Sequence, residues 1–182
     1  MRRTTKFRIL KAALISGSTV AISACGGSSG PAPLPVLGAA TPGTLVSCTD
    51  LAAKAVLSNT TISSATLVAS GGLVVAGVTT PMPEHCLVKG EMNRRTSSVD
   101  GKSYAIGFEM RLPTAWNGRY FYQANGGIDG SVVTATGPNS GGAPVSNALQ
   151  MGFAVLSSDA GHAGPPWWGL DPQARLDYGY QA

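Results

Sequence analysis

Apolar and polar positions alternate strictly through residues 104–112. Tyr104, Ile106, Phe108, Met110 and Leu112 share one face, and Gly107, Glu109 and Arg111 share the other. A period of two predicts a strand with one buried side. Pro113 ends it, because proline cannot continue a ladder. Trp116-Asn117-Gly118 is a turn, and residues 119–124 read as a second strand. Two loops follow: the glycine-rich Asn125-Gly126-Gly127-Ile128-Asp129-Gly130, then residues 137–143. Residues 144–151 read as a helix, with Val145, Ala148 and Leu149 on one face and Gly152 near its end. Phe153-Ala154-Val155-Leu156 is an unbroken apolar run, as in a parallel strand covered on both faces. Ser157-Ser158-Asp159-Ala160-Gly161-His162 leaves its carboxyl end. Strand, loop, helix and strand at this spacing make a βαβ-type unit and predict an α/β fold.

The upstream pattern is weaker. Thr49 is placed to cap a short helix over residues 50–57. Residues 61–69 and 73–78 are rich in β-branched side chains. Ser70-Gly71-Gly72 separates them, which predicts a hairpin or two short strands. Pro81-Met82-Pro83 breaks the chain, and residues 86–92 read as one more strand.

The first 25 residues have a different character. Arg2, Arg3, Lys6, Arg8 and Lys11 precede an apolar stretch from Ala12 to Ala24 that is too short to span a bilayer. Ile22-Ser23-Ala24-Cys25 then matches a bacterial lipoprotein cleavage box, with a plain secretory signal as the alternative. Residues 1–24 are therefore expected to be a signal peptide and Cys25 a lipidated first residue. Residues 25–44 form a Gly/Ser/Pro-rich tether, and residues 45–182 form the domain. The expected location is outside the cytoplasm. Gly26 after Cys25 favours a lipid anchor in the outer membrane or cell surface; an unused box leaves a periplasmic or secreted protein.

Export changes the reading of charge. The whole chain carries 13 Lys+Arg against 9 Asp+Glu. Five of those basic residues lie in the signal, leaving eight against nine. The basic character belongs to the leader, and nothing in the remainder calls for a nucleic-acid partner. The two cysteines beyond the anchor, Cys48 and Cys86, most simply form a disulfide in an exported chain. Two lone cysteines with His85 and His162 do not make a zinc set, and no metal site is expected in this chain.

Four places are candidates for chemistry. Gly26-Gly27-Ser28-Ser29-Gly30 matches Gly-x-Ser-x-Gly, but it lies in the tether rather than on a strand-to-helix turn. Gly126 and Gly127, just after a strand, let backbone N–H groups approach a substrate oxygen; a tight turn would equally require glycine. Asp159 and His162, three apart on a turn, fix that turn more readily than they act as base and orienter, and Ser157 and Ser158 are too near in sequence to serve them. Trp167-Trp168 reads as a loop pair that packs against a part of the core beyond this chain, with stacking on an aromatic or sugar ring as the alternative, and His85 as a surface histidine.

Several of these segments together resemble the tannase/feruloyl esterase family. The carriers are Pro113-x-x-Trp116-Asn117-Gly118-Arg119-Tyr120, Asn125-Gly126-Gly127-x-x-Gly130, and the run from Ala148 and Gly152-Phe153-Ala154 to Ser158-Asp159-x-Gly161-His162. Cys48, Thr61-Ile62-x-x-Ala65 and His85-Cys86-x-Val88-x-Gly90 extend the likeness upstream. The resemblance implies an exported α/β-hydrolase that cleaves aromatic carboxylic esters, galloyl, feruloyl or terephthaloyl, by Ser-His-Asp acyl transfer. It implies an oxyanion-hole role for Gly126 and Gly127 and a disulfide between Cys48 and Cys86. It also implies a serine in a Cys-Ser-x-Gly-Gly elbow and a lid domain that often carries calcium. After His162 this chain has no serine or cysteine. The expectation is the N-terminal part of an α/β-hydrolase fold, truncated before the elbow and lid. The nucleophilic serine, the aspartate and the histidine of the triad are then expected beyond Ala182. No catalytic triad residue and no cofactor are expected within the chain, and no ester hydrolysis by these 182 residues alone. The competing expectation is a non-catalytic exported lipoprotein that uses its aromatic loop as a binding module.

Overall fold

In the computed structural model the described residues are 38–182, except 127, 129, 139–146, 164, 165 and 182. They belong to one compact unit that starts at Gly38. Its centre is a five-stranded sheet built from β2 (Thr60–Val68), β3 (His85–Thr96), β4 (Ser103–Pro113), β6 (Tyr120–Gln123) and β7 (Ala154–Ser158). The strands lie in the order β2-β3-β4-β7-β6. β2, β3, β4 and β7 pair antiparallel in turn, and β6 joins β7 in parallel. A parallel pair needs a crossover between its strands, and residues 124–153 supply it. The expected βαβ-type connection is therefore present as a parallel pair, although the described part of the predicted helix, residues 147–151, is not helical. Residues 148–151 form a turn in which Asn147 Oδ1 accepts from Gln150 N at 3.0 Å. Residues 144–146 lie outside the described set.

Each face of the sheet carries a hydrophobic core. On one, Cys48, Cys86, Val88 and Phe108 form a core with Ile62, Met92 and Met110 against it. On the other, Met82, Ala135, Ala148, Leu149 and Val155 pack with Phe121 and Phe153. Alternation thus predicts the strand β4 correctly but misjudges its polar face, where Glu109 and Arg111 are buried. The crossover covers that face, and the sheet supplies the hydrogen bonds its irregular backbone needs. Gln123 Oε1 accepts from Gly137 N at 2.8 Å and Thr136 N at 3.1 Å, and Glu109 Oε1 accepts from Ala135 N at 3.0 Å.

Other expectations are corrected. The first helix is only α1 (Leu51–Lys54), and its N-cap is Asp50 rather than Thr49. Asp50 has helical φ/ψ and makes no capping bond; its carboxylate is paired with Lys54 Nζ at 2.7 Å. Residues 73–78 form no strand, and β2 pairs with β3 instead. Leu73, Val75 and Val78 pack onto the core from a loop, so burial rather than ladder pairing accounts for this apolar run. The predicted tether reaches into the fold, since β1 (Gly43–Thr44) pairs with β5 (Ala115–Trp116). His85 is fully buried, not at the surface.

Cys48 and Cys86 are joined in a disulfide that links the segment before α1 to β3 across 38 residues. Cys86→Ser is expected to cost about 3–4 kcal/mol through the loop-closure entropy returned to the unfolded chain. Urea denaturation of the variant checks this; an unshifted midpoint would contradict it.

Candidate functional site

The carboxyl ends of the parallel strands β6 and β7 lie side by side, where ligands are bound in open α/β sheets. Asn125 and Gly126 follow β6, and Asp159, Gly161 and His162 follow β7. Gly126 has φ +82°, and among the described residues no atom beyond its chain neighbours lies within 4 Å of the position a Cβ would take. Its backbone conformation, rather than crowding, therefore calls for glycine. Gly127, the second oxyanion-hole candidate, lies outside the described residues, as do Cys25 and the Gly26–Gly30 match. Ala182, beyond which the serine, aspartate and histidine of the triad are expected, also lies outside them.

Asp159 and His162 do not form an acid–base pair. The Asp159 carboxylate accepts from Gly107 N at 3.0 Å and from Gly161 N at 2.9 Å, which ties the turn to β4. Burial raises its pKa above the ordinary carboxylate range, against the pull of those two N–H groups. His162 is buried with Nδ1 3.4 Å from the Ala160 carbonyl oxygen. Its ring stacks on Trp168 at 4.1 Å and meets Tyr178 edge-on at 5.4 Å. Trp168 is half-buried against these rings, whereas Trp167 is 61% exposed. Ser157 and Ser158 turn away from this imidazole toward Asn125 and Tyr122: Ser157 Oγ lies 3.3 Å from Asn125 Oδ1, and Ser158 Oγ 3.1 Å from Tyr122 Oη.

A groove of about 460 Å³ opens beside the turn, lined by Tyr104, Gly107, Asp159, His162, Trp167 and Trp168. Among the described residues no group of three or more His, Cys, Asp or Glu is placed to hold a metal ion. The site does contain one side chain that sequence reasoning misses. Asn125 is bonded to both strand ends and to the far side of its own loop. An asparagine heading a glycine-rich loop is the available signal, since its amide closes turns on neighbouring backbone.

This sheet, with its antiparallel leading strands and the parallel pair β6/β7 carrying the loops, is that of an α/β-hydrolase fold. The crystal structure of feruloyl esterase B from Aspergillus oryzae matches it with a TM-score of 0.54 at 24% identity, over 72% of this chain and 25% of that one. An esterase from the same organism matches with a TM-score of 0.50 at 22% identity, over the same shares. The family model described as tannase and feruloyl esterase matches residues 86–182. The chain belongs to that family. Over 111 residues it is 42% identical to mono(2-hydroxyethyl) terephthalate hydrolase of Piscinibacter sakaiensis, which covers 56% of this chain and 18% of that protein. Over 102 residues it is 31% identical to an uncharacterized esterase of Agrobacterium fabrum, covering 53% and 18%. The chain thus spans about a fifth of the length of these curated relatives.

Proposed function

We propose that this chain is the N-terminal portion of an exported carboxylic ester hydrolase acting on aromatic esters. Its contribution is the oxyanion loop and the sheet that carries it. The supporting observation is the left-handed Gly126 at the carboxyl end of β6, in a chain of the tannase and feruloyl esterase family. A backbone N–H aimed at the oxygen that develops charge during acyl transfer stabilises the tetrahedral intermediate, typically by a factor of roughly 10²–10³ in kcat per donor. Gly126 and Gly127 are assigned that role. Asp159 and His162 are assigned to holding the turn, because the carboxylate is engaged by two backbone N–H groups and the imidazole by aromatic rings. The nucleophilic serine, its histidine and its aspartate are assigned to sequence beyond Ala182. The substrates proposed are galloyl, feruloyl or terephthaloyl esters. Export through the leader and lipidation at Cys25 would place the enzyme outside the cytoplasm, anchored to a membrane.

The test uses the protein expressed from the complete reading frame that carries this segment. It is expected to hydrolyse p-nitrophenyl acetate and at least one of methyl gallate, methyl ferulate and mono(2-hydroxyethyl) terephthalate. A serine should become labelled by a fluorophosphonate, and that serine should lie outside residues 1–182. No hydrolysis of any of these esters, with aromatic acids bound but unchanged, would replace the enzyme reading with a binding module.

A further inference from the structure

The loop that leaves β6 is rich in glycine. Gly126 and Gly130 both adopt left-handed φ, at +82° and +91°, and glycine loses more conformational freedom on being fixed than any other residue. Asn125 stands at the mouth of this loop. Its Nδ2 donates to the Ser158 carbonyl at 2.8 Å and to the Ser131 carbonyl at 3.2 Å. One amide thereby joins the far side of the loop to the end of β7. Its Oδ1 accepts from Gln123 Nε2 at 3.1 Å and from Ser157 Oγ at 3.3 Å, and the same hydroxyl lies 3.0 Å from Nδ2. A flipped amide would set its oxygen against two carbonyls and its nitrogen against the Gln123 donor, so the orientation is fixed. A second anchor acts on the other limb. Gly130 N donates to Asp159 O at 3.2 Å, and a Cβ on Gly130 would sit 3.3 Å from His162 Nε2.

We infer that Asn125 is the positioning residue of this loop, fixing the Gly126 peptide relative to the end of β7 for acyl transfer. The inference rests on the oxyanion reading of Gly126 and adds the group that makes that reading work. A loop freed at its mouth still folds and still admits substrate. Its N–H then meets the developing charge in the wrong place, and a misplacement of about 1 Å costs on the order of 100-fold.

The protein from the complete reading frame is the material for the test, with Asn125→Ser, Asn125→Asp and Gly130→Ala. Asn125→Asp removes both donors and faces carboxylate oxygens with the two carbonyls. Gly130→Ala disturbs the loop through a different contact. For each folded variant kcat is expected to fall roughly 100-fold with KM within about threefold, the split that marks loss of a transition-state interaction. The melting temperature of Asn125→Ser is expected to fall by no more than a few degrees through the lost amide bonds, leaving the variant folded under assay conditions. Folded variants with kcat unchanged, or with KM raised and kcat intact, overturn the inference. If Asn125→Asp does not fold, Asn125→Ser and Gly130→Ala decide. A wild-type protein that hydrolyses no ester removes the underlying reading and this inference with it, a result distinct from an active wild type matched by its variants.

Discussion

Arg95→Met is expected to lower stability by about 3–5 kcal/mol, the range for removing one partner from a buried ion network. Arg95 reaches from β3 to the last segment of the chain. Its Nη1 lies 2.5 Å from Asp177 Oδ2, and its Nη2 lies 3.1 Å from Asp171 Oδ1. Asp177 is fully buried and Asp171 nearly so. Asp171 also accepts from Ser97 Oγ at 2.6 Å and caps helix α2 (Pro172–Leu176) through Ala174 N at 2.7 Å. The Ser97 hydroxyl, with that N–H and Arg95, holds the Asp171 carboxyl below the ordinary carboxylate range despite its burial. Methionine would leave two carboxylates out of water with no cation between them. Converting Asp171 and Asp177 to asparagine in the Arg95→Met background is expected to recover part of the loss, because it removes the unpaired charges. Urea denaturation followed by tryptophan fluorescence is a direct readout, since Trp167 and Trp168 precede the clasped segment. A change within about 0.5 kcal/mol, as for an ordinary surface substitution, would show that the clasp carries no weight.

That clasp is invisible in the sequence, and the reason is physical. Arg95 and Asp177 are 82 positions apart, and no local pattern distinguishes a charge that will be buried from one that will be solvated. What is legible follows from periodicity and from glycine. The alternation through residues 104–112 locates β4 because side chains of a strand point to opposite faces. The apolar run at residues 153–156 locates β7 because a strand covered on both faces has no polar side. Positive-φ demands at Gly126, Gly130 and Gly161 explain why glycines punctuate the loops around the site. Valine-rich residues 73–78 mislead because β propensity describes side chains that suit a half-buried surface, and a loop lying on a core is also such a surface. The burial of Glu109 and Arg111 escapes notice for a related reason. A polar face reads as solvated until the crossover that covers it is known. The location of the candidate loop can thus be read from the chain, whereas the Asn125 contacts that shape it cannot, because Ser157 and Ser158 lie 32 and 33 positions away at the end of β7 and meet Asn125 only in the folded sheet.

The buried polar face of β4 carries the other large expected effect. Arg111 Nε donates to Glu109 Oε1 at 2.9 Å, and Nη1 lies 2.7 Å from His85 Nε2. His85 Nδ1 lies 2.7 Å from the Pro83 carbonyl oxygen. A guanidinium only donates and a carbonyl only accepts, so His85 is neutral, with its proton on Nδ1 and its Nε2 accepting from Arg111. Arg111→Met is expected to cost about 3–5 kcal/mol, because it takes the guanidinium from the buried Glu109 carboxylate and leaves it the Ala135 N–H at 3.0 Å and Lys89 Nζ at 3.8 Å. The histidine makes this network sensitive to acid. Burial, and then the neighbouring Arg111 charge, lower the His85 pKa from its ordinary 6.5, against the pull of the Pro83 carbonyl and Glu109. The unfolded chain then takes up the proton at higher pH than the folded one. Stability due to this group is complete above about pH 6.5 and declines as pH falls toward the lowered folded value. Asp159, raised by burial, works with the opposite sign: its share is present below its ordinary 3.8 and lost as pH rises through its folded value. The difference between wild type and His85→Gln therefore isolates the histidine better than either curve alone. Denaturation midpoints measured from pH 7.5 downward should converge with those of the variant as acid is added. Parallel curves would mean that His85 titrates alike in both states and that the neutral imidazole between Pro83 and Arg111 has been misassigned.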